Sequence, residues 1–185
     1  DSIESLARWN HTELGPVSPS KFIPLAEEIG LIDKLCEQVL RRSCREIGSL
    51  SEDLTDKQRI PVSINLSCRQ FSQSSLVQNI RSILNETGFS PKDLRIEITE
   101  SVFFEHQNRA IIMLNQLRDS GVEINIDDFG PGYSNLGYLT KLPLSVLHIH
   151  RSSVPMLDSA RRHDELVRAI LTFAPHPATK SIAEG

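Results

Sequence analysis

The sequence predicts an α/β fold, and within that class a (β/α) barrel in preference to an open doubly wound sheet. Three observations carry this expectation. Strands and helices alternate along 185 residues at about 25 to 35 residues per unit, the pattern of a parallel sheet. No low-complexity linker and no close internal repeat interrupts them. The clearest strands are apolar on one face and polar on the other. That suits a barrel whose polar positions face inward and whose apolar positions meet surrounding helices, whereas an open sheet covered on both sides shows two apolar faces.

The elements follow in order. Residues 3–7 read as a first strand. Ser18-Pro19 forms an N-cap and first-turn pair, opening a helix through Phe22, Ile23, Leu25 and Ala26 that runs to Gly30. A second helix carries Leu31, Ile32, Leu35, Val39 and Ile47 on or near one face, and residues 61–66 form a strand. Leu76, Val77, Ile80, Ile83 and Leu84 recur at helical spacing until Gly88. The next strand alternates cleanly, with Leu94, Ile96 and Ile98 opposite Arg95, Glu97 and Thr99. A helix through Ala110, Ile111, Leu114 and Leu117 stops at Gly121. Residues 122–128 alternate again, with Val122, Ile124 and Ile126 opposite Glu123, Asn125 and Asp127. Residues 146–150 form a strand, 165–173 a helix and 180–183 a sixth strand.

Composition narrows the function classes. A net charge of −4 argues against a partner made of nucleic acid or anionic lipid. No run approaches the roughly 18 apolar residues of a membrane helix, and the N-terminal residues lack a signal-peptide pattern. The expected location is cytoplasmic, as a protein of its own or as the cytoplasmic part of a longer one. Cys36, Cys44 and Cys68 are odd in number and have no zinc spacing, so they read as small core residues in a reducing compartment.

Acidic and amide residues recur at or near the C-terminal ends of the expected strands: Asn65, Glu97, Asp127, Asp128 and Glu184, with Glu4 in the first strand. A parallel barrel gathers those ends onto one rim, where active sites sit. Carboxylates converging there repel one another unless a cation joins them, and oxygen donors suit hard ions such as Mg²⁺ or Mn²⁺. Any one of these acids taken alone reads first as a helix N-cap or a solvated charge. The adjacent pair Asp127-Asp128 before Phe129-Gly130 resists that bland explanation.

Several motifs carry a family resemblance. Glu4-Ser5-Leu6-Ala7-Arg8-Trp9-Asn10-His11 resembles the EAL signature, and residues 17–30 (VSPSKFIPLAEEIG) resemble the segment that follows it. Asn65-Leu66-Ser67, Glu97-Ile98-Thr99-Glu100, Asp127-Asp128-Phe129-Gly130 and Ala183-Glu184-Gly185 are similar to that family's later motifs, in the same order. The resemblance implies a TIM-like barrel that opens cyclic di-GMP to linear pGpG with Mg²⁺ or Mn²⁺. By matching positions it assigns Glu4, Asn65, Glu97 and Asp127 to metal, and Asp128 to a second ion. Glu184 is placed near the attacking water, Arg8 on a substrate phosphate and Leu6 against the guanine-bearing part. Glu100 braces the loop after Asp128. The family's first and last strands fall outside residues 1–185, so about six of eight strands are expected in this chain. The resemblance also leaves room for a homodimer and for an upstream sensor or diguanylate-cyclase-like domain.

The sequence departs from that pattern in places. Ser5 stands where the family has Ala, a mild change. His148 stands where the family has a Lys beside the attacking water, and an imidazole is only partly charged at neutral pH. His148 and His150 share a strand face. A borderline metal held with Asp127 is conceivable there, although drifted positions filled by tolerated polar residues are the preferred explanation. Pro131 replaces Thr in the loop after Asp128 and removes a backbone donor. Pro175 and Pro177 end the preceding helix near Phe173. The expectation is therefore a metal-dependent phosphodiesterase, weakened by His148. The alternative is a degenerate domain that binds cyclic di-GMP or a protein partner without turnover.

Overall fold

The computed structural model describes residues 2–51, 54–55, 59–102, 107–129, 142–149 and 180–183. Six parallel strands form one sheet: β1 (Ile3–Ser5), β4 (Val62–Leu66), β5 (Leu94–Thr99), β6 (Glu123–Phe129), β7 (Val146–Ile149) and β8 (Lys180–Ala183). They are neighbours in that order. An open doubly wound sheet reverses its strand order at a switch point, whereas a barrel wall adds each strand beside the last. The described wall never reverses, so the fold is α/β with the wall of a TIM-like barrel. Between β1 and the first helix lies an antiparallel ribbon of β2 (Trp9–His11) and β3 (Gly15–Val17).

Four helices dress the wall among the described residues: α1 (Pro19–Glu28), α2 (Ile32–Leu50), α3 (Leu76–Thr87) and α4 (Gln107–Asp119). Pro19 opens α1 at its first turn, but the Ser18 hydroxyl makes no capping bond and instead meets Ser20 Oγ at 2.8 Å. Gly88 ends α3 in the left-handed region, at φ +66°, which glycine adopts without a Cβ clash.

Strand alternation becomes one apolar face and one polar face. Val62, Ile64, Leu66, Leu94, Ile96, Ile98, Ile124 and Ile126 share one apolar core with Leu40, Cys44, Ile80, Leu84, Leu114 and Leu117 from the helices. The opposite face is polar and only partly shielded: Ser63, Glu97 and Asn125 are buried, whereas Glu4, Asn65 and Thr99 are exposed. Register stacks those polar residues in rows. Glu4, Ser63, Arg95 and Glu123 are aligned across β1, β4, β5 and β6; Asn65, Glu97 and Asn125 are aligned one step up; Thr99 pairs with Asp127 above them. None of the three cysteines is in a disulfide, and burial pushes the Cys36 and Cys44 thiols up to about 11, as expected for inert core residues.

The structure revises three expectations. The first strand stops at Ser5, short of Ala7, because the chain turns away into the ribbon. That ribbon is unanticipated: its strands are three residues each, and the His11 ring nitrogen closes its turn by accepting the N–H groups of Glu13 and Leu14 at 3.2 and 3.3 Å. Strand β6 begins at Glu123 and extends through Phe129. The expected helix at 165–173, together with Pro131, His150, Pro175 and Pro177, lies outside the described residues.

Truncating Ile96, fully buried on β5, to alanine should lower the unfolding free energy by about 2–5 kcal/mol in urea denaturation. Ile112→Ala, at a position 58% exposed on α4, should change it by less than about 0.5 kcal/mol.

Candidate active site

Glu97 is the centre of the polar face. It is the fourth residue of β5, on the strand side opposite Ile96 and Ile98, so the alternation that buries those isoleucines outward carries its carboxyl inward. Burial raises its pKa above the usual carboxylate range. A hydrogen bond from Ser63 opposes this, the negative charges of Glu4 and Asp127 add to the rise, and His148 offsets it in part. Glu4, Asp127 and His148, from β1, β6 and β7, therefore all stand within electrostatic reach of one carboxyl. Asn65 completes the group from β4: its Nδ2 donates to Glu4 Oε1 at 2.8 Å, which turns the amide's N–H side toward the neighbouring acid.

A local irregularity shapes the β6 contribution. Ile126 pairs with Leu147 and Phe129 with Ile149, so three steps along β6 oppose two along β7. One extra residue is thus accommodated at Asp127-Asp128. Such a bulge re-aims side chains and is common beside active sites. Phe129, 1% exposed, joins the apolar core immediately after it.

The mouth of this group opens into a cleft of about 380 Å³, whose lining includes Leu6, Arg8, Glu27, Asn65, Glu97 and Ser101. Leu6 and Arg8 come from the β1–β2 connection, so the two expected substrate-binding residues share a cleft with two of the expected metal ligands. The Arg8 guanidinium is held at 3.0 Å by the Ala7 carbonyl. A larger hollow of about 660 Å³ lies across that connection, against α1 and α2, and none of Glu4, Asn65, Glu97 or Asp127 lines it. Chemistry therefore assigns the smaller cleft to the site.

The sequence reading overlooked several supports. Ser63 holds Glu97. Glu27, at the end of α1, accepts from the Ser67 hydroxyl through Oε1, while its carbonyl takes Arg69 Nη1 at 3.1 Å. This clamps the turn that follows Asn65, which a capping box between Ser67 and Gln70 also fixes. Glu100 is buried directly after β5, but the loop it was expected to brace lies outside the described residues. So do Glu184 and the Asp128 side chain.

Apart from the His148 imidazole, the group offers carboxylate and amide oxygen with no thiol, the set that suits a hard divalent cation. On β4, β5 and β6 its upper rows carry no Lys or Arg. Among the described residues, no three His, Cys, Asp or Glu side chains stand close enough together to grip one ion. The donors line one mouth without closing on a point.

An EAL domain model matches residues 1–185. This chain belongs to the EAL-domain family. The chain is 38% identical over 183 residues to the cyclic di-GMP phosphodiesterase NbdA of Pseudomonas aeruginosa, covering 99% of this chain and 23% of that protein. It is 37% identical over 184 residues to the bifunctional diguanylate cyclase/cyclic di-GMP phosphodiesterase MucR of the same species, covering 99% and 26%. Among solved structures, the c-di-GMP complex of the PaMucR phosphodiesterase superposes with a TM-score of 0.82 at 36% identity, covering 100% of this chain and 74% of that one. The EAL domain described here spans about a quarter of the length of these curated relatives. No helix among its described residues is long and apolar enough to cross a membrane.

The raised pKa of Glu97 has a sign that can be checked. Below the ordinary glutamate pKa of about 4.3, both folded and unfolded chains hold the proton and stability is unaffected. As pH rises through that value and then through the higher folded one, the unfolded chain releases the proton more readily, and metal-free stability is lost. Glu97→Gln should therefore be more stable than the parent at pH 7 without metal, by a margin that vanishes near pH 4. Paired thermal melts across that range measure it.

Proposed function

We propose that this EAL domain hydrolyses cyclic di-GMP to linear pGpG in the cytoplasm, in a reaction that requires Mg²⁺ or Mn²⁺. The observation that carries this reading is the buried Glu97 carboxyl, which is within reach of the Glu4 and Asp127 charges. Acids crowded in that way are held at a cost that a divalent cation removes. Glu4, Asn65, Glu97 and Asp127 would hold the ion, with Asp128 serving a second one. A divalent cation, when bound, neutralises the phosphodiester and makes a bound water acidic enough to attack.

The remaining roles belong to the chain's own groups. Arg8, on the rim of the same cleft, offers a planar pair of donors suited to a phosphate oxygen. Leu6 gives the base an apolar contact. Glu184 takes the proton of the attacking water or helps hold that water. His148, in the position of the family's Lys, orients that water and supplies positive charge only when protonated. Relatives described as cyclic di-GMP phosphodiesterases support this assignment.

His148 also favours a second reading, in which the domain binds cyclic di-GMP without turning it over. A single positioned charge contributes on the order of 10²- to 10³-fold in rate. The chain should therefore hydrolyse slowly, and His148→Lys should raise kcat by about 10²-fold, measured by chromatography of pGpG with Mg²⁺ or Mn²⁺. Hydrolysis by the variant but not by the parent would make the parent a receptor. Asp127→Asn should abolish turnover in both backgrounds.

A further inference from the structure

Asn125 lies in the middle of β6, 2% exposed, between Ile124 and Ile126, which face the helices. Its own side chain is therefore turned to the barrel interior. Its Oδ1 is buried and meets no hydrogen-bond donor among the described residues. Buried amide oxygens are nearly always satisfied, so this one marks an acceptor left for something that the described residues do not supply. The neighbours in register are specific. On β5 the partner is Glu97, whose hydrogen bond is with Ser63. On β7 the partner is Val146, which has no side-chain donor. Lys180 on β8 is in register with Val146, which puts its backbone two strands, about 10 Å, from Asn125. One step up β6 on the same face is Asp127. The orphaned oxygen thus sits in the row of two expected cation ligands, Asn65 and Glu97, and directly beneath a third, Asp127.

We propose that Asn125 belongs to the outer shell of the cation site, its Oδ1 accepting a hydrogen bond from a water carried by the divalent ion. This rests on the metal reading above and adds a residue to it. The type of group fits. An amide oxygen adds no charge to a site already crowded with carboxylates, yet it is a strong acceptor for an acidified water proton. Mg²⁺ in particular keeps several of its waters when bound to protein, so acceptors one layer out contribute to its affinity. Outer-shell partners of this kind typically alter metal affinity 10- to 100-fold.

The test is a metal titration that needs no substrate. Mg²⁺ and Mn²⁺ binding to the full chain is followed by calorimetry, and thermal melts are recorded with and without metal, for the parent, Asn125→Ala, Asn125→Asp and Asp127→Asn. Asn125→Ala should bind Mg²⁺ about 10-fold more weakly, while its metal-free melting temperature stays at or above that of the parent, since an unsatisfied acceptor has been removed. Asn125→Asp keeps an acceptor at the same place and should bind at least as tightly as the parent. Equal affinity for Asn125→Ala and the parent would overturn the inference and leave an ordinary buried water as the partner. A lower metal-free melting temperature for Asn125→Ala, with an undiminished metal-induced rise, would overturn it in favour of packing. If the alanine variant does not fold, Asn125→Asp decides alone, and weaker binding than the parent sinks the idea. Failure of the parent to bind either cation would instead refute the metal reading, and Asp127→Asn, expected to lose binding outright, shows which of the two has failed.

Discussion

Carboxylates from three strands act on one another at one face of the barrel wall, and the proposed function depends on how that repulsion is relieved. The wall itself shows the contrast. In the lower row, Arg95 Nε meets Glu123 Oε2 at 2.7 Å, so an acid and a base in adjacent strands answer each other. One step up, the row of Asn65, Glu97 and Asn125 has acid and amide but no base, and Glu97 holds its proton more tightly than a glutamate in water. A protein optimised for stability would repeat the lower arrangement in the upper row. The proposed cation site rests on that difference: an acid without a base in the row where a positive charge from outside would sit.

The scaffold makes this arrangement affordable by separating the two strand faces. The outward isoleucines and leucines of β4, β5 and β6 sit in a core with α2, α3 and α4, and none of that packing depends on what the inward face carries. Parallel register then aligns residues two apart into rows, so an acid placed anywhere in a row meets its neighbours without any special loop. Among the described strands the bulge at Asp127-Asp128 is the one break in that register, and it falls where two consecutive acids must be accommodated.

Much of this was legible in the residues alone. Alternation in β5 and β6 is strong enough to assign both strands and their inward sets, and the six strands and their parallel order follow from the spacing of the units. The β2–β3 ribbon was not legible, because three-residue strands are too short for a period of two to register, and its residues read as part of a signature motif. The bulge was hidden for a related reason: Asp-Asp at a strand end looks the same whether the strand stops or gains a residue. Positions of the acids could be listed from sequence, but the burial of Glu97 and the unmet oxygen of Asn125 depend on how closely neighbouring strands enclose them. No pattern in one strand reports that.

Strand face also decides how two of the departures from the family pattern, Ser5 and His148, differ in weight. Ser5 is adjacent to Glu4 and so points the other way, where its hydroxyl meets Ser43 Oγ of α2 at 2.6 Å. The helix layer supplies a partner for this half-buried hydroxyl, so the change is matched at the edge of the cleft without adding charge to it. His148 is on β7 within electrostatic reach of Glu97, so its charge acts on the acid cluster itself. The two substitutions therefore have unequal consequences: one is matched by a second serine on a helix, and the other acts on the charge balance around Glu97.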